Sequence, residues 1–294
     1  MQIQKSFDSI GGKLYLVATP IGNLQDMSTR ALNILQEVDL IAAEDTRHTR
    51  KLLNHFQFST PLVSLHEHNE TQQLHSLIDR LKKGSQIAVV SDAGTPAISD
   101  PGEKLVAAAV EQGIDVIPVP GANAALAALI GSGLPVQPFL FYGFLPRTQK
   151  KRQSILHQLN QLEVTAIFYE SPYRMVDTLR DIQSVCGDQC EVVVVRELTK
   201  RYEEWLRGNV VECCEYIQQE GSRGEYTIVI RMNGLNEAEE NAWWNGLSLS
   251  DHVDHYMKQG QSKKGAIQQV SDERHLPKRE VYNQYHQNMK QRGE

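Results

Sequence analysis

The residues best equipped for chemistry lie in one short stretch, SDAGTPAISDPG, Ser91 to Gly102, directly after the apolar run Gln86–Val90. It holds two Ser-Asp pairs, two glycines and two prolines. A plain connection needs one turn signal, so the excess suggests a binding loop. Asp92 ends the apolar run before any helix can begin. Gly94 can take positive φ and present backbone N–H groups. Asp92 is then placed to accept hydrogen bonds from a ligand, the structural alternative being an Asx-turn acceptor. Asp100, Pro101 and Glu103 read as a helix start, with Asp at the N-cap, Pro in the first position and Glu in the third. A cap contributes about 1 kcal/mol, which suffices to account for Asp100.

Similar polar segments close the other apolar, β-branched runs. LYLVATP (14–20) leads into TPIGNL, DLIAAED (39–45) into AEDTRHTRK, PLVSLHEH (61–68) into HEHNE, and DVIPVPG (115–121) into PGANAA. The continuous apolar character of these runs, QIAVVSDAG (86–94) included, suits strands buried on both faces of a parallel sheet. Between them Ala31, Leu35 and Val38 recur at helical spacing, as do Leu105, Val106, Ala109 and Val110, with Gly113 as a stop. Strands alternating with helices imply an α/β sheet with right-handed crossovers. The carboxyl ends of such strands share one rim, where ligands bind, so the separate segments become one surface. Gly121, Ala122, Ala124 and Ala125 are small where a helix begins, which admits a ligand or simply tight packing on the sheet. Gly22-Asn23 does not fit G-x-G-x-x-G, and no G-x-x-x-x-G-K-[ST] occurs, which disfavours a dinucleotide enzyme and a P-loop nucleotidase.

GSGLPVQPFL (131–140) breaks the rhythm and marks a hinge. Beyond it FLFYGFL, VTAIFYES, CEVVVVREL and EYTIVIRM read as strands of a mixed sheet with some antiparallel pairing. After about Gly234 the chain turns polar and helical, and LSLSDHVDHYMKQGQSKKGAIQQVSDERHLPKREVYNQYHQ reads as three short helices. The expected division is an α/β domain over 13–132, a second over 138–234 and a helical extension over 240–294. A length of 294 residues allows two domains and an appendage. Composition is that of a soluble globular protein, with 40% apolar and 22% charged residues. No apolar run approaches the roughly 20 residues needed to span a bilayer. MQIQKSFDSIGG has neither the apolar core nor the cleavage site of a signal peptide. Cys186, Cys190, Cys213 and Cys214 match no common zinc spacing and no secreted disulfide framework, so reduced thiols in the cytoplasm are expected. A net charge of −6 argues against a chain coated for nonspecific nucleic-acid binding, while leaving room for local basic patches.

LVATPIGNL, AEDTR, SDAGTPAISDPG and PGANA, in this order, together with FYESPYR and GEYTIVI, resemble the bacterial family of 16S ribosomal RNA cytidine 2′-O-methyltransferases, of the tetrapyrrole-methylase superfamily. The resemblance runs from about Lys13 to Met232, and the terminal segment is similar to that family's helical extension. It implies two α/β domains of tetrapyrrole-methylase type, with a parallel first sheet, a mixed second sheet and S-adenosyl-L-methionine in the cleft between them. The implied reaction methylates the ribose 2′-hydroxyl of a decoding-centre cytidine in the 16S rRNA of the small ribosomal subunit. No metal and a homodimer are implied as well. By motif, the cofactor should touch Pro20, Gly22 and Asn23, then Asp92, Ala93, Gly94, Thr95 and Pro96, then Gly121, Ala122, Asn123 and Ala124. In the second domain it should touch Tyr169 and Glu170.

Such a reaction holds nucleophile, methyl and sulfur in line, with the reacting atoms about 3–3.5 Å apart. A ribose hydroxyl is a weak acid, so a positioned proton acceptor helps. Glu44, Asp45, His66 and Glu67 stand at the rim. Asp45 is the first choice and Glu67 the second; His66 is a candidate because histidine is the residue type commonest in proton transfer, though a histidine bonded to backbone is the commoner situation. Arg47, Arg50 and Lys51 leave the second strand on a partly shared helix face. Arg147, Lys150, Lys151 and Arg152 form a sharper cluster beside the hinge, with no acid nearby in the sequence. Both groups are expected to meet RNA phosphates, which makes binding salt-dependent; the alternative is a solvated helix face. Asp251–Glu294 holds eight Lys/Arg against six Asp/Glu, and SKKGAIQQVSDERHLPKREVY has a helix-turn-helix rhythm, which suggests an RNA-docking module or helices that only pad the second domain. Tyr173-Arg174 and Arg196-Glu197 either line the cleft or are ordinary surface residues, and Trp243-Trp244 read as anchors for the tail ahead of base-stacking platforms. Rival readings methylate a tetrapyrrole or another small molecule, bind the cofactor without transfer, or use Asp45, Asp92 and Asp100 for Mg²⁺-dependent phosphohydrolysis.

Overall fold

A computed structural model describes residues 3–6, 11–232, 243–244, 246–274 and 276–292, the last six of these by backbone alone. Two compact units divide the chain, 1–234 and 235–294.

The first unit opens with five apolar strands: β1 Lys13–Val17, β2 Leu40–Ala43, β3 Leu62–Ser64, β4 Gln86–Val90 and β5 Asp115–Val119. They form one parallel sheet in the order β3-β2-β4-β1-β5. Leu14 of β1 lies opposite Ile87 on one side and Val116 on the other. Both faces are covered, which is why the strands read as unbroken apolar runs. Helices α1 Thr29–Glu37 and α2 Thr46–His55 seal one face, with Ala31, Leu35 and Leu53 against Val17, Ile41 and Ala88. Helices α3 Glu70–Lys82 and α4 Glu103–Glu111 seal the other, with Leu77, Leu81 and Leu105 against Leu14, Ala42 and Val89. The chain leaves β2 toward β3 and leaves β4 the opposite way, toward β5. The two connections diverge and open a crevice above the ends of β2 and β4, the usual ligand position in such sheets.

Helix α5, Ala124–Ser132, carries the chain out of the first sheet. Its apolar side, Ala125, Ala128 and Leu129, packs not on that sheet but on Ile167, Val193, Val195 and Val229 of the second. This sheet contains β6 Phe139–Phe144, β7 Thr165–Glu170, β8 Glu191–Arg196, β9 Glu204–Asn209 and β10 Tyr226–Arg231, in the order β6-β7-β10-β8-β9. Only the β6–β7 pair is parallel, so the sheet is mixed, as expected. Helices α6 Gln149–Asn160, α7 Met175–Cys186 and α8 Val210–Glu220 cover its other face. The α6–α7 contact overturns one expectation. Arg152 is 5% exposed and its guanidinium is paired with the equally buried Asp181 of α7, so it cannot reach RNA. An acid 29 residues away supplies the partner that the local sequence lacks. All four cysteines are free thiols.

In the second unit α9 Leu249–Lys258, α10 Lys263–Glu273 and α11 Lys278–Arg292 enclose Val253, Tyr256, Ile267, Val270, Val281 and Tyr285. Ser248 and Ser262 cap the first two, accepting from the Asp251 and Gly265 N–H groups. Trp244 stacks on the buried His252 at 5.1 Å between ring centroids, and Trp243 lies 3.9 Å from the His255 ring. Among the described residues no helix is long and apolar enough to cross a membrane.

Candidate functional site

Side chains and backbone stitch the five segments at the sheet's carboxyl rim together. Thr19 and Gly94 exchange backbone hydrogen bonds of 2.8 and 3.1 Å, tying the end of β1 to the loop after β4. The Thr95 hydroxyl donates to the Ala122 carbonyl at 3.3 Å, and the Asn123 amide donates to Thr95 at 3.4 Å, which adds the loop after β5. The Asp45 backbone N–H donates to Asp92 Oδ1 at 3.1 Å, which adds the loop after β2. Asp92 therefore braces a neighbouring strand end instead of making an Asx-turn, and among the described residues its Oδ2 has no hydrogen-bond partner. After β3, Asn69 holds its turn by accepting from His66 N–H at 2.8 Å and donating to the Ser64 carbonyl at 3.1 Å.

The loop after β4 departs from expectation at its far end. Helix α4 begins at Glu103, and its cap is Gly102, with φ at 127°. Buried Glu70 of α3 does the capping from outside, accepting from Gly102 N–H at 3.1 Å and Lys104 N–H at 3.3 Å. The left-handed Gly102 turns the chain after Pro101, so Asp100 falls too early to cap and is released toward the crevice. Ala97 and Ser99 also have positive φ, 64° and 63°. Non-glycine residues hold that conformation only where their surroundings impose it.

The crevice is closed by the second sheet into a cavity of about 420 Å³, within the size range of small-molecule sites. Of the residues expected at a cofactor, Asp92, Ala93, Gly94, Thr95, Asn123, Ala124, Tyr169 and Glu170 line it. Pro20 and Gly22 line an adjoining space of about 610 Å³, which shares Asp92, Ala93 and Lys200 with the first. Asn23, Pro96, Gly121 and Ala122 line neither. Asn23 caps a short turn at Leu24–Asp26, and Pro96 is buried. A Cβ on Gly121 would fall 2.8 Å from Ala18 Cβ, so its small size serves backbone packing. Asn123 caps α5 by accepting from Leu126 N–H at 3.0 Å. Tyr169 Oη accepts from Ala125 N–H at 3.2 Å, joining β7 to the same helix end. Glu170 is 3% exposed and engaged with Ser171 N–H, the Thr178 hydroxyl and the Arg174 guanidinium, so it braces the wall behind the cavity.

Charge in the cavity is one-sided. Glu44, Asp92 and Asp100 line it together. Burial, then the charge of Asp92, pushes the Glu44 carboxyl up, partly offset by the Asp92 N–H and His66. Burial, then Glu44, pushes Asp100 up to about 6, against a hydrogen bond from Ser91. Lys200 is the nearby cation, but it already pairs with Glu225 at 2.7 Å and Glu197 at 3.0 Å. The cavity therefore carries excess negative charge and suits a ligand bearing positive charge. Among the described residues no group of three or more His, Cys, Asp or Glu is arranged to hold a metal ion. Local sequence gave no sign of Phe144, Lys200 or Thr227 as cavity walls, and placed Asp100 there only in the phosphohydrolase alternative.

The expected proton acceptors stand elsewhere. Asp45 caps α2 through Arg47 N–H at 2.8 Å and pairs with the Arg47 side chain at 2.8 Å. These bonds, the Arg47 side chain first, hold its carboxyl far below the usual range and make it a weak base. Glu67 is exposed and outside both cavities. His66 lies at the Glu44 side of the rim, its Nδ1 buried with no hydrogen-bond partner among the described residues. Among the cations, Arg47 is engaged by Asp45, while Arg50, Lys51, Arg147, Lys150 and Lys151 are exposed, and Lys51 lines the second space. Arg174 ties the wall together, donating to the carbonyls of Leu145 at 2.8 Å and Pro146 at 3.1 Å. Arg196 pairs with Glu204 at 3.4 Å, and Glu197 with Lys200.

Comparison with known proteins gives the same architecture a chemical context. Residues 13–213 match the family model of tetrapyrrole (corrin/porphyrin) methylases. The chain is 51% identical over 289 residues to ribosomal RNA small subunit methyltransferase I of Halalkalibacterium halodurans, covering 98% of this chain and all of that one. It is 49% identical over 276 residues to the protein of the same name from Bacillus subtilis, covering 94% of each. Among solved structures, uroporphyrin-III C-methyltransferase from Thermus thermophilus, in complex with S-adenosyl homocysteine, superposes with a TM-score of 0.54 at 16% identity, covering 78% of this chain and 99% of that one.

Proposed function

The chain belongs to the tetrapyrrole methylase family, with near-full-length relatives named ribosomal RNA small subunit methyltransferase I, and on that premise we propose that it transfers a methyl group from S-adenosyl-L-methionine to the 2′-hydroxyl of a decoding-centre cytidine in 16S rRNA. The observation that carries this reading is coverage. Likeness to the rRNA enzyme extends over 98% of the chain, helical tail included, whereas likeness to the solved tetrapyrrole enzyme covers 78%. The tail thus goes with the RNA substrate and not with the shared fold.

The cavity fits the cofactor by charge. S-adenosylmethionine supplies an electrophilic methyl on a cationic sulfonium and a thioether leaving group. Glu44, Asp92 and Asp100 provide the carboxylate field that favours such a cation over water. Asn123 and Thr95 fix the floor, and Tyr169 and Glu170 fix the facing wall. Asp100 takes the role of proton acceptor ahead of Asp45, Glu67 and His66. It is the desolvated carboxyl with a value of about 6, so it is ionised at neutral pH yet still basic enough to attract a hydroxyl proton. Exposed Arg50, Lys51, Arg147, Lys150 and Lys151, with the tail, hold the RNA backbone. The protein acts in the cytoplasm, in keeping with its four unpaired thiols, and as a homodimer through exposed Ile130, Val136 and Phe139 beside edge strand β6.

The test is transfer of labelled methyl to 30S subunits from a strain lacking this enzyme, followed by alkaline hydrolysis. Label in an alkali-resistant dinucleotide containing cytidine is expected. Label in mononucleotides, as base methylation would give, or in no rRNA fragment at all, rejects ribose methylation.

A further inference from the structure

Tyr173 is 95% exposed, more than any other large apolar or aromatic side chain among the described residues. Single exposed aromatics are common on protein surfaces, but this one sits on an unusually well-held turn. Its neighbours Ser171 and Pro172 line the cavity. Behind them the buried Glu170 carboxylate accepts from Ser171 N–H at 2.8 Å and from the Thr178 hydroxyl at 2.7 Å, and meets Arg174 at 3.3 Å. Arg174 in turn donates to the Leu145 and Pro146 carbonyls. Burying charge is costly unless it is fully partnered. Here both oxygens of the buried carboxylate are partnered, and with its arginine, whose buried Nε has no hydrogen-bond partner among the described residues, it clamps both flanks of a turn whose outward side chain is Tyr173.

The surroundings of that ring match one kind of ligand. Arg174 donates to the carbonyls just before Arg147, so the turn that carries Tyr173 is tied to the segment leading into α6, where Arg147, Lys150 and Lys151 are exposed and have no ion-pair partner among the described residues. Phe144, 55% exposed, lines the cavity from the adjoining strand end. An open aromatic face next to unpaired cations, at the mouth of a site, is how single-stranded RNA is held: bases stack on the ring and phosphates meet the cations.

We infer that Tyr173 is a stacking platform for an unpaired rRNA base flanking the target nucleotide, with Arg147, Lys150 and Lys151 engaging that strand's phosphates. The inference rests on the rRNA reading above. Stacking on Tyr173 holds the strand so that one ribose enters the cavity, and it reads the flat face of a base without reading its identity.

The experiment measures methyl transfer to 30S subunits by Tyr173→Ala, Tyr173→Phe and a Lys150→Gln/Lys151→Gln double variant, with S-adenosylmethionine affinity measured separately by calorimetry. Tyr173→Ala should raise KM for the subunit about tenfold or more at unchanged cofactor Kd and unchanged melting temperature. Tyr173→Phe should stay within about twofold, because the ring face remains. The lysine variant should flatten the salt dependence of KM by about 1.4 units of log–log slope, about 0.7 for each of its two phosphate contacts, whereas Tyr173→Ala should leave the slope alone. A Tyr173→Ala enzyme with wild-type KM overturns the inference. So does a Phe variant as impaired as Ala, which would mean a hydroxyl contact, or a parallel loss of cofactor affinity, which would mean a role inside the cavity. If the wild-type enzyme labels no 30S subunit, the rRNA reading itself fails and this inference with it, an outcome separate from the other three.

Discussion

Asp100 shows how far a residue's role depends on groups outside its own segment. Its value of about 6 lies above the 3.8 of an ordinary aspartate. Folding therefore disfavours the ionised form. The penalty is absent below about pH 3.8, grows between there and about 6, and is complete above. Asp100→Asn should raise the melting temperature at pH 8 and leave it unchanged at pH 4. The gain is on the order of 1 kcal/mol once partial exposure is allowed for. The same substitution should lower methyl transfer about 100-fold and remove the rise of kcat/KM near pH 6 that an Asp100 acceptor predicts for the wild-type enzyme. A variant with full activity would return the proton to another acceptor, Glu44 first. The rim itself was legible in the sequence because each polar segment directly follows a buried run. Asp100 was placed on it only in the phosphohydrolase alternative, because Asp-Pro-Gly-Glu imitates a capped helix start and the acceptor that does cap α4, Glu70, is distant in the chain.

Elements show the same division between local and distant information. All five strands of the first sheet and four of the second announce themselves as apolar runs. Strand β9, Glu204–Asn209, does not, because an edge strand with partly exposed residues has no buried face to declare. Two elements depend on single long-range groups. Glu70→Ala strips the acceptor from two N–H groups at the start of α4. It should cost about 2 kcal/mol in urea denaturation and weaken cofactor binding through the loop that α4 anchors. Asp181→Ala leaves Arg152 buried without its counter-charge and should cost about 3–5 kcal/mol. Replacing both by leucine should recover most of that loss.

At the scale of the molecule, the helical tail and the α/β unit have separate cores. The chain ended after residue 234 should bind S-adenosylmethionine with unchanged Kd and lose at least tenfold in transfer to 30S subunits. Undiminished transfer would make the tail dispensable for RNA.

Helix α5 is read with the first half of the fold and packs on the second. A chimera that exchanges the second half with a relative at the 131–140 hinge would therefore strand Ala125, Ala128 and Leu129 against foreign strands. The tolerated crossover point lies before Asn123, so that this helix travels with the sheet it covers and the Tyr169–Ala125 bond is inherited intact.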